Sequence, residues 1–346
     1  MSFNELNNEQ RRHFIDATQA YEAYLTARDD LARRFLGHMS WKTVAGKQYL
    51  YRQVGRTERG LGPRTPETEQ ARDAFDRGKA AAQEREASLQ ARLEQMAPVN
   101  RAMGLDRVPR LVARILRRLD QAGVLGEQVC VLGTNALYAY EAKAGVRFDS
   151  GLLATGDIDF GLDARRRLAL AAKTMPRGLL PLLQTVDTSF SVRRDGDFRA
   201  VSKSGFLVEL IAPVPRRPRR QPPSKRLGGA TEADLEAAEV WKLEWVVEAP
   251  RFEAIAIDES GLPCKMVAAD PRWFAAHKLW LATRPDRELL KKPRDAEQGR
   301  AVAALLAKAF PDLAINDGVL SQLPEDLRQA LRAAWQESAP EVGLQW

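Results

Sequence analysis

Two aspartates separated by one residue are the feature of this sequence best suited to chemistry. Asp157 and Asp159 flank Ile158, and Phe160 follows. Because side chains alternate between the two faces of a β-strand, both carboxylates would point the same way, about 7 Å apart. Like charges at that distance repel, and a hard divalent cation such as Mg²⁺ or Mn²⁺ is the usual partner that relieves the repulsion. The other interpretation is an edge strand with two solvated acids, and the short pattern alone does not decide.

A glycine-containing turn is predicted directly after a short apolar strand at 129–132. Gly133 follows this strand, and Thr134 and Asn135 begin a predicted helix that runs to Ala144. Glycine lets a phosphate approach the backbone, and a helix N-terminus offers free N–H groups and positive potential. Many strand–helix turns contain glycine, so this turn indicates a phosphate site only in combination with the acids that follow it.

A third acid is embedded in a later apolar strand. Glu209 stands in Leu-Val-Glu-Leu-Ile at 207–211, where a carboxylate is costly to bury unless it is paired or binds a metal. Because this strand belongs to the same predicted sheet, Glu209 can complete a cluster with Asp157 and Asp159. Three such carboxylates can hold two cations that bind a triphosphate and activate an incoming hydroxyl.

The composition excludes several classes of protein. With 346 residues, 45% of them hydrophobic, the chain can form two or three packed domains and is not a disordered protein. It has no apolar run long enough for a membrane span, its start is too polar for a secretory signal, and Cys130 and Cys264 lack metal-ligand spacing. We therefore expect a reducing, cytoplasmic location. The net charge of +7 indicates either a polyanionic partner or an ordinary, mildly basic protein.

The elements that must position the acids alternate in type. Strands are predicted at 129–132 and 157–162, helices at 134–144 and 165–175, and further strands at 190–194, 198–203 and 206–212. The glycines Gly196 and Gly205 lie in turns that suit antiparallel hairpins. This order predicts an α+β fold with an α/β core and a mixed sheet.

Mostly helical segments flank this core. Before it we predict a helix over 14–35, a hairpin at 41–52, a loop at 55–64, a helix from Thr65 to Pro98 and a helix over 108–122. After it we predict strand-like runs at 241–247, 252–257 and 264–267, then helices from Asp270, from Arg294 and over 324–336. The predicted domains are an N-terminal helical region at 1–122, a catalytic domain at 123–268 and a C-terminal helical domain at 269–346.

One segment inside the predicted catalytic domain cannot join a packed core. Residues 215–226 hold six basic residues and no apolar side chain apart from proline, which predicts a mobile loop. The loop is either an electrostatic arm for nucleic acid or a solvated linker, and we favour the arm.

The order of these motifs resembles the nucleotidyltransferase superfamily whose best-known member is DNA polymerase β. Its pattern is an apolar strand ending in Gly and Gly or Ser, a helix, an acid-apolar-acid strand, and an acid in a later strand. The chain is more closely similar to a bacterial group that shares Trp-Lys…Gly…Tyr-Leu-Tyr-Arg at 41–52 and His-Lys…Lys-x-x-Arg-Asp in the C-terminal helices. Related abortive-infection and toxin-type nucleotidyltransferases carry a lysine and then an Arg/Lys-Asp pair, matched here by Lys278, Arg294 and Asp295.

The resemblance implies a role for each of these residues. Asp157, Asp159 and Glu209 would hold two Mg²⁺ ions as the catalytic acids. Gly133, Thr134 and Asn135 would bind the β- and γ-phosphates of an NTP. Lys278 and Arg294 would neutralise phosphate charge, and Asp295 would orient a basic neighbour. Without the resemblance, Lys278 would be a helix-surface lysine, and Arg294 and Asp295 a local salt bridge. His277 is expected to be a packed helix residue rather than a catalytic base. Four tryptophans are expected to lie in the core rather than to stack on bases: Trp41, Trp241, Trp273 and Trp280.

Three functional hypotheses remain open at this point. The first is an enzyme that moves an NMP from an NTP to a hydroxyl of tRNA, another RNA or a protein. The second is a small-molecule enzyme of the same fold, such as an aminoglycoside-type nucleotidyltransferase or an oligonucleotide synthase. The third is a non-catalytic module that binds nucleotide or RNA.

Overall fold

A computed structural model describes residues 2–163, 178–214, 225–229 and 233–338 of the chain. These residues form two compact units. The larger unit comprises 1–8, 107–258 and 264–346, and the smaller comprises 9–106 and 259–263. The three predicted domains are a different division of the chain and stay a prediction.

The described strands and helices, in chain order, have the following bounds. The strands are β1 (Phe3–Glu5), β2 (His38–Val44), β3 (Lys47–Val54), β4 (Thr57–Pro63), β5 (Val129–Leu132), β6 (Val146–Phe148), β7 (Asp157–Leu162), β8 (Ser191–Val192), β9 (Arg199–Val201), β10 (Leu207–Pro213), β11 (Ala238–Val240), β12 (Arg251–Ile257) and β13 (Pro263–Ala269). The helices are α1 (Asn8–Arg34), α2 (Pro66–Ala102), α3 (Arg110–Gln121), α4 (Ala136–Ala144), α5 (Ser150–Leu153), α6 (Leu179–Val186), α7 (Glu244–Val247), α8 (Pro271–Thr283), α9 (Lys292–Ala309), α10 (Asp317–Leu320) and α11 (Glu325–Ser338).

The larger unit is built on a mixed sheet with the strand order β12-β13-β5-β7-β10-β9-β8, and β11 pairs with β10. β7 runs antiparallel to β5 and parallel to β10, while β9 runs antiparallel to β10. The alternation expected of β7 is present, because Ile158 and Phe160 are fully buried while both aspartates are partly exposed. The predicted α+β class with an α/β core and a mixed sheet is confirmed.

Helices α8 and α9 pack closely against each other. Asp270 caps α8 by accepting a hydrogen bond from the Arg272 backbone N–H, and Pro271 takes the first helical position. A Cβ atom on Gly299 of α9 would lie only 2.6 Å from Leu279 Cγ of α8. The missing side chain therefore permits the close approach that sets residues of α8 beside residues of α9.

The smaller unit contains α1, α2 and the antiparallel sheet β2-β3-β4. The loop predicted at 55–64 is wrong, because β4 occupies most of it and pairs with β3. The predicted end of the long helix at Pro98 is also wrong, because α2 continues to Ala102. The buried Asn100 side chain donates a 2.9 Å hydrogen bond to the Gly261 carbonyl, and this contact anchors the last turn despite the proline.

The predicted strand at 241–247 is wrong as well. β11 ends at Val240, Lys242 takes a left-handed φ of +60°, and the chain then forms α7. Leu243, Val246 and Val247 have helical spacing and pack against Leu132. The apolar run is compatible with both strand and helix periodicity, and packing against Leu132 favours the helix.

Two sequence predictions fall partly or wholly on residues outside the described ranges. The predicted helix at 165–175 lies outside them, and so does most of the basic loop at 215–226. The last two residues of that loop are described: Lys225 pairs with Glu239 and Arg226 pairs with Glu236. No helix in the described part of the chain is long and apolar enough to cross a membrane.

Candidate active site

The three predicted acids lie on one face of two neighbouring strands. In the parallel pair β7–β10, Glu209 is directly opposite Asp159, and Leu207 is opposite Asp157. Residues in register on adjacent parallel strands point to the same face, and so do residues two apart on one strand. Sheet register therefore brings Asp157, Asp159 and Glu209 together.

Asp159 lies in an environment that disfavours its charge. Burial raises the pKa of its carboxyl from the ordinary 3.8 to about 7, with further raising effects from the charges of Asp157 and Glu209. The ammonium of Lys278 acts in the opposite direction, and a hydrogen bond with Glu209 raises the pKa again. A cation added beside Asp159 would therefore stabilise the charged form of its carboxyl.

Protein groups occupy some of the acids' oxygens. The Thr155 hydroxyl donates to Asp157 Oδ1, and Arg199 Nε donates to Glu209 Oε1 at 2.7 Å. Arg199 comes from β9, where it stands opposite Glu209, and half of its side chain is exposed. Sequence reasoning missed both partners, because the Arg199 contact depends on the register of the β9–β10 hairpin.

The residues present fit a hard cation in their donor chemistry. Across the described ranges, no group of three or more His, Cys, Asp and Glu side chains is arranged to hold a metal ion. The oxygen donors and their shared face nevertheless match what Mg²⁺ or Mn²⁺ prefers. Movement of Arg199 away from Glu209 would leave the third carboxylate free to bind a cation.

The predicted glycine turn lies directly against the acids. Leu132 is opposite Asp159 in the β5–β7 pair, so Gly133 follows immediately beside that carboxylate. Gly133 has a φ of +59°, and a Cβ atom there would lie 2.0 Å from Asp159 Oδ2. The buried Asn135 donates from Nδ2 to the Asp157 carbonyl at 2.7 Å, while its Oδ1 has no hydrogen-bond partner within the described ranges of the chain. The turn and the acid strand are thus bonded to each other.

Gln298 of α9 is a site residue that the sequence reasoning missed. Its Nε2 donates to Thr134 Oγ1 at 3.2 Å and to the Leu152 carbonyl at 2.7 Å. It is fully buried, and its Oε1 has no hydrogen-bond partner among the described residues. Because Gln298 stands one helical turn from Arg294, the helix periodicity could have pointed to it.

Arg294 itself lies close to the site without reaching the acids. Its Nη2 donates to the Leu152 carbonyl at 3.3 Å and also to the Ala154 carbonyl. Both acceptors precede β7, so Arg294 supports the backbone that leads into the strand with the two aspartates.

Lys278 is buried and paired, so the alternative of a helix-surface lysine is excluded. Its Nζ lies 2.8 Å from Asp295 Oδ1, and Arg287 lies 2.7 Å from Asp295 Oδ2. Burial lowers the pKa of Lys278, and the charge of Asp295 opposes that effect. Burial alone would raise the pKa of Asp295, but Lys278 and Arg287 hold it below its ordinary value. One carboxylate therefore fixes two cations, and Arg287 is a second residue that the sequence did not reveal.

Replacing Asp295 with asparagine should destabilise the protein by about 3 kcal/mol, because it leaves the buried Lys278 cation without its counter-charge. Lys278→Met should cost less, since Asp295 keeps Arg287. Chemical denaturation of both single variants and the double variant tests this. The double variant should lie close to Lys278→Met, whereas additive losses would contradict a coupled pair.

The raised pKa of Asp159 predicts how stability depends on pH without metal. Between pH 3.8 and about 7 the folded chain holds the Asp159 proton and the unfolded chain does not, so this group's contribution falls as pH rises through that window. Asp159→Asn removes the effect. In EDTA, it should therefore gain on the order of 2 kcal/mol relative to wild type between pH 5 and pH 8.

Thermal and urea unfolding at both pH values measure this difference. The control is Asp195→Asn, which changes an exposed acid in a turn. Mg²⁺ added at pH 8 should stabilise wild type and leave Asp159→Asn unchanged. A constant difference between the two chains at both pH values would contradict the prediction.

The remaining predicted residues divide into buried and exposed ones. Trp273 and Trp280 are each 6% exposed, as expected of core residues. The prediction for Trp241 is wrong, because this side chain is 56% exposed. His277 packs against Trp280 with 5.6 Å between ring centroids, and burial lowers its pKa to about 3, so the imidazole is neutral.

Comparisons with known proteins identify the family of the chain. A family model described as nucleotidyltransferase matches residues 110–336, more than half of the chain. Among solved structures, an antigenic nucleotidyltransferase-like protein from Paracoccidioides brasiliensis is similar at 18% identity and a TM-score of 0.33, covering 65% of this chain and 86% of that chain. No curated protein matches the chain. The matched residues include the acid strands, the glycine turn, α8 and α9, and the chain belongs to the nucleotidyltransferase family.

Proposed function

We propose that this protein transfers an NMP from an NTP to a hydroxyl group of a macromolecule, either an RNA such as tRNA or a protein. The observation that carries the proposal is the register that sets Asp159 beside Glu209, with Gly133 against the same carboxylate. A family of nucleotidyltransferases supplies the reaction class. The acids would be the place of charge neutralisation, and the turn would be the place of phosphate binding.

The acids would act together. Divalent cations held by Asp157, Asp159 and Glu209 would neutralise the triphosphate and lower the pKa of the acceptor hydroxyl. Asp159 must lose its proton before it can serve as a ligand, and Glu209 must release Arg199. Thr155 fixes Asp157 through its hydroxyl, which limits the carboxylate to one orientation.

The turn before α4 would bind the phosphates. Gly133 leaves room for the Asp159 carboxylate beside the turn. The first N–H groups of α4 are already used, because Ala136 donates to the Gly133 carbonyl and Leu137 to the Thr134 carbonyl, so the turn itself would contact the phosphate. Because the Gln298 amide donates to Thr134 Oγ1, the hydroxyl of Thr134 accepts that hydrogen bond and can donate its own proton elsewhere. A phosphate oxygen would be a suitable acceptor. Lys278 would add a positive charge whose position Asp295 fixes, while Arg294 would brace the chain that enters β7.

Incubation with each α-labelled NTP, Mg²⁺ and either total RNA or a cell lysate tests the proposal. We expect one NTP to label an acceptor, and mass analysis should show a mass increase of one NMP. EDTA should abolish the label. If no NTP labels any RNA or protein in Mg²⁺ or Mn²⁺, the proposed activity is wrong.

A non-catalytic module that binds nucleotide is the second candidate, and the Arg199–Glu209 pair favours it. A permanent ion pair with Arg199 would keep Oε1 of Glu209 from a cation. Nucleotide binding that survives simultaneous replacement of Asp157, Asp159 and Glu209, together with no transfer by wild type, would favour this candidate. Arg199→Ala distinguishes the two candidates: an enzyme should still transfer NMP after this substitution, whereas a non-catalytic module should transfer none.

A further inference from the structure

An exposed indole flanked by two cations stands directly after β11. Trp241 is 56% exposed, Lys242 Nζ lies 4.5 Å from its ring centroid, and Arg284 Cζ lies 5.3 Å from it. Its ring centroid is 6.0 Å from that of Trp280, with an angle of 54° between the planes. These distances are within the range of cation–π and aromatic contacts. A large apolar side chain is therefore held at the surface by specific partners.

The partners of Trp241 are themselves fixed. Lys242 pairs with Asp326, and Arg284 donates two 2.6 Å hydrogen bonds to Asp286. Arg284 also lies 4.8 Å from the ring of the buried Trp280. The left-handed φ of +60° at Lys242 costs about 1–2 kcal/mol and turns the chain directly after the indole. Strain of this kind persists where the surrounding contacts enforce it.

The indole lies beyond the acids along the same strand pair. Val240, the last residue of β11, is opposite Pro213, which sets it about 13 Å from Glu209 along the strand direction, and Trp241 follows it. A few nucleotides of a single strand can span this interval.

We propose that Trp241 is a base-stacking platform for a single-stranded segment of a nucleic-acid acceptor. This inference rests on the proposed function and selects nucleic acid over protein as the acceptor. Single-strand binding sites combine an exposed aromatic face with neighbouring cations, and stacking tolerates any base sequence. A protein-binding aromatic, in contrast, normally lies at the centre of an apolar patch, whereas the groups that surround Trp241 are charged.

The ion pairs around the indole define how the nucleic acid would be bound. Because Asp326 and Asp286 already balance Lys242 and Arg284, few phosphates would be neutralised at this place. Stacking would supply most of the local affinity. Substitution of Trp241 should therefore weaken binding while leaving its dependence on salt concentration nearly unchanged.

Fluorescence anisotropy with a fluorescein-labelled single-stranded RNA of mixed sequence tests the proposal on the full chain, in EDTA and without NTP. Trp241→Ala should weaken binding about fivefold to a hundredfold, and Trp241→Phe should restore most of it. Ile15→Ala, which truncates an apolar side chain of similar exposure, 53%, should leave binding unchanged. A fully paired duplex of the same sequence should bind more weakly than the single strand.

Each outcome either supports or overturns the platform. Equal binding by wild type and Trp241→Ala overturns it, and so does equal binding of duplex and single strand. Loss of transfer to a protein acceptor in Trp241→Ala, with RNA binding unchanged, overturns it in favour of a protein acceptor. Because binding is measured in EDTA and without NTP, it is separate from the proposed function: unchanged binding by Trp241→Ala overturns the platform alone, and absence of transfer by wild type overturns the proposed activity alone.

Discussion

Asp159→Asn is expected to reduce nucleotidyl transfer by at least about a thousandfold, equivalent to about 4 kcal/mol of transition-state stabilisation. The change keeps the size of the side chain and removes one negative charge from the group that Asp157 and Glu209 complete. It also removes the carboxyl whose pKa is raised to about 7, so the folded state should lose no stability. Loss of activity would then reflect lost charge and not lost structure.

Steady-state transfer of label from the preferred NTP, with saturating Mg²⁺, measures this effect. Asp195→Asn serves as the control, because it removes an exposed acid and should retain full activity. Asp159→Glu should recover little, since a longer side chain would meet the turn at Gly133. Transfer by Asp159→Asn within tenfold of wild type would exclude Asp159 from the catalytic group.

The convergence of the acids was predictable because it depends on local rules. Alternation along β7 sets Asp157 and Asp159 on one face, and a carboxylate within an apolar strand signals that Glu209 needs partners. Glycine before a helix and beside an acid strand also follows from short-range geometry. These features require only the sequence and the order of the strands.

The partners of those acids were not predictable, since they depend on tertiary register. Arg199 meets Glu209 only because β9 and β10 pair in one register, and Gln298 meets Thr134 only because α9 packs against the turn. Arg287 reaches Asp295 from the loop that follows α8. A lysine or arginine in a loop has no sequence pattern that distinguishes such a contact from solvent exposure.

Two mistaken predictions share one physical cause. The run at 241–247 is apolar enough for a strand, and tryptophan is most often buried. The left-handed Lys242 ends the strand pattern, which exposes Trp241 and lets Leu243 start a helical spacing. Positive φ at a residue other than glycine is not visible in a sequence, so both the helix and the exposed indole were missed.

Gly133→Ala is expected to reduce transfer by about a thousandfold, because the added methyl group would displace the carboxylate of Asp159. The new Cβ would lie 2.0 Å from Asp159 Oδ2, a distance that no pair of such atoms tolerates, so the carboxylate or the turn must move. Either movement disturbs both the contact of Asp159 with Glu209 and the turn that would bind the phosphates. Misplacement of about 1 Å can cost about a hundredfold, and two functions are displaced here.

Gly123→Ala is the matched control for this substitution. Gly123 has a φ of +67°, close to the +59° of Gly133, but a Cβ atom there meets nothing within 4 Å. Both variants carry the same backbone strain, about 1–2 kcal/mol of stability, and only Gly133→Ala adds the contact with Asp159. Melting temperature and transfer rate should therefore separate them: Gly133→Ala should melt lower because of the added contact, and full activity per folded molecule is expected in Gly123→Ala alone. Equal activities in the two variants would show that the turn at Gly133 does not support the acids, and the phosphate site would have to lie elsewhere.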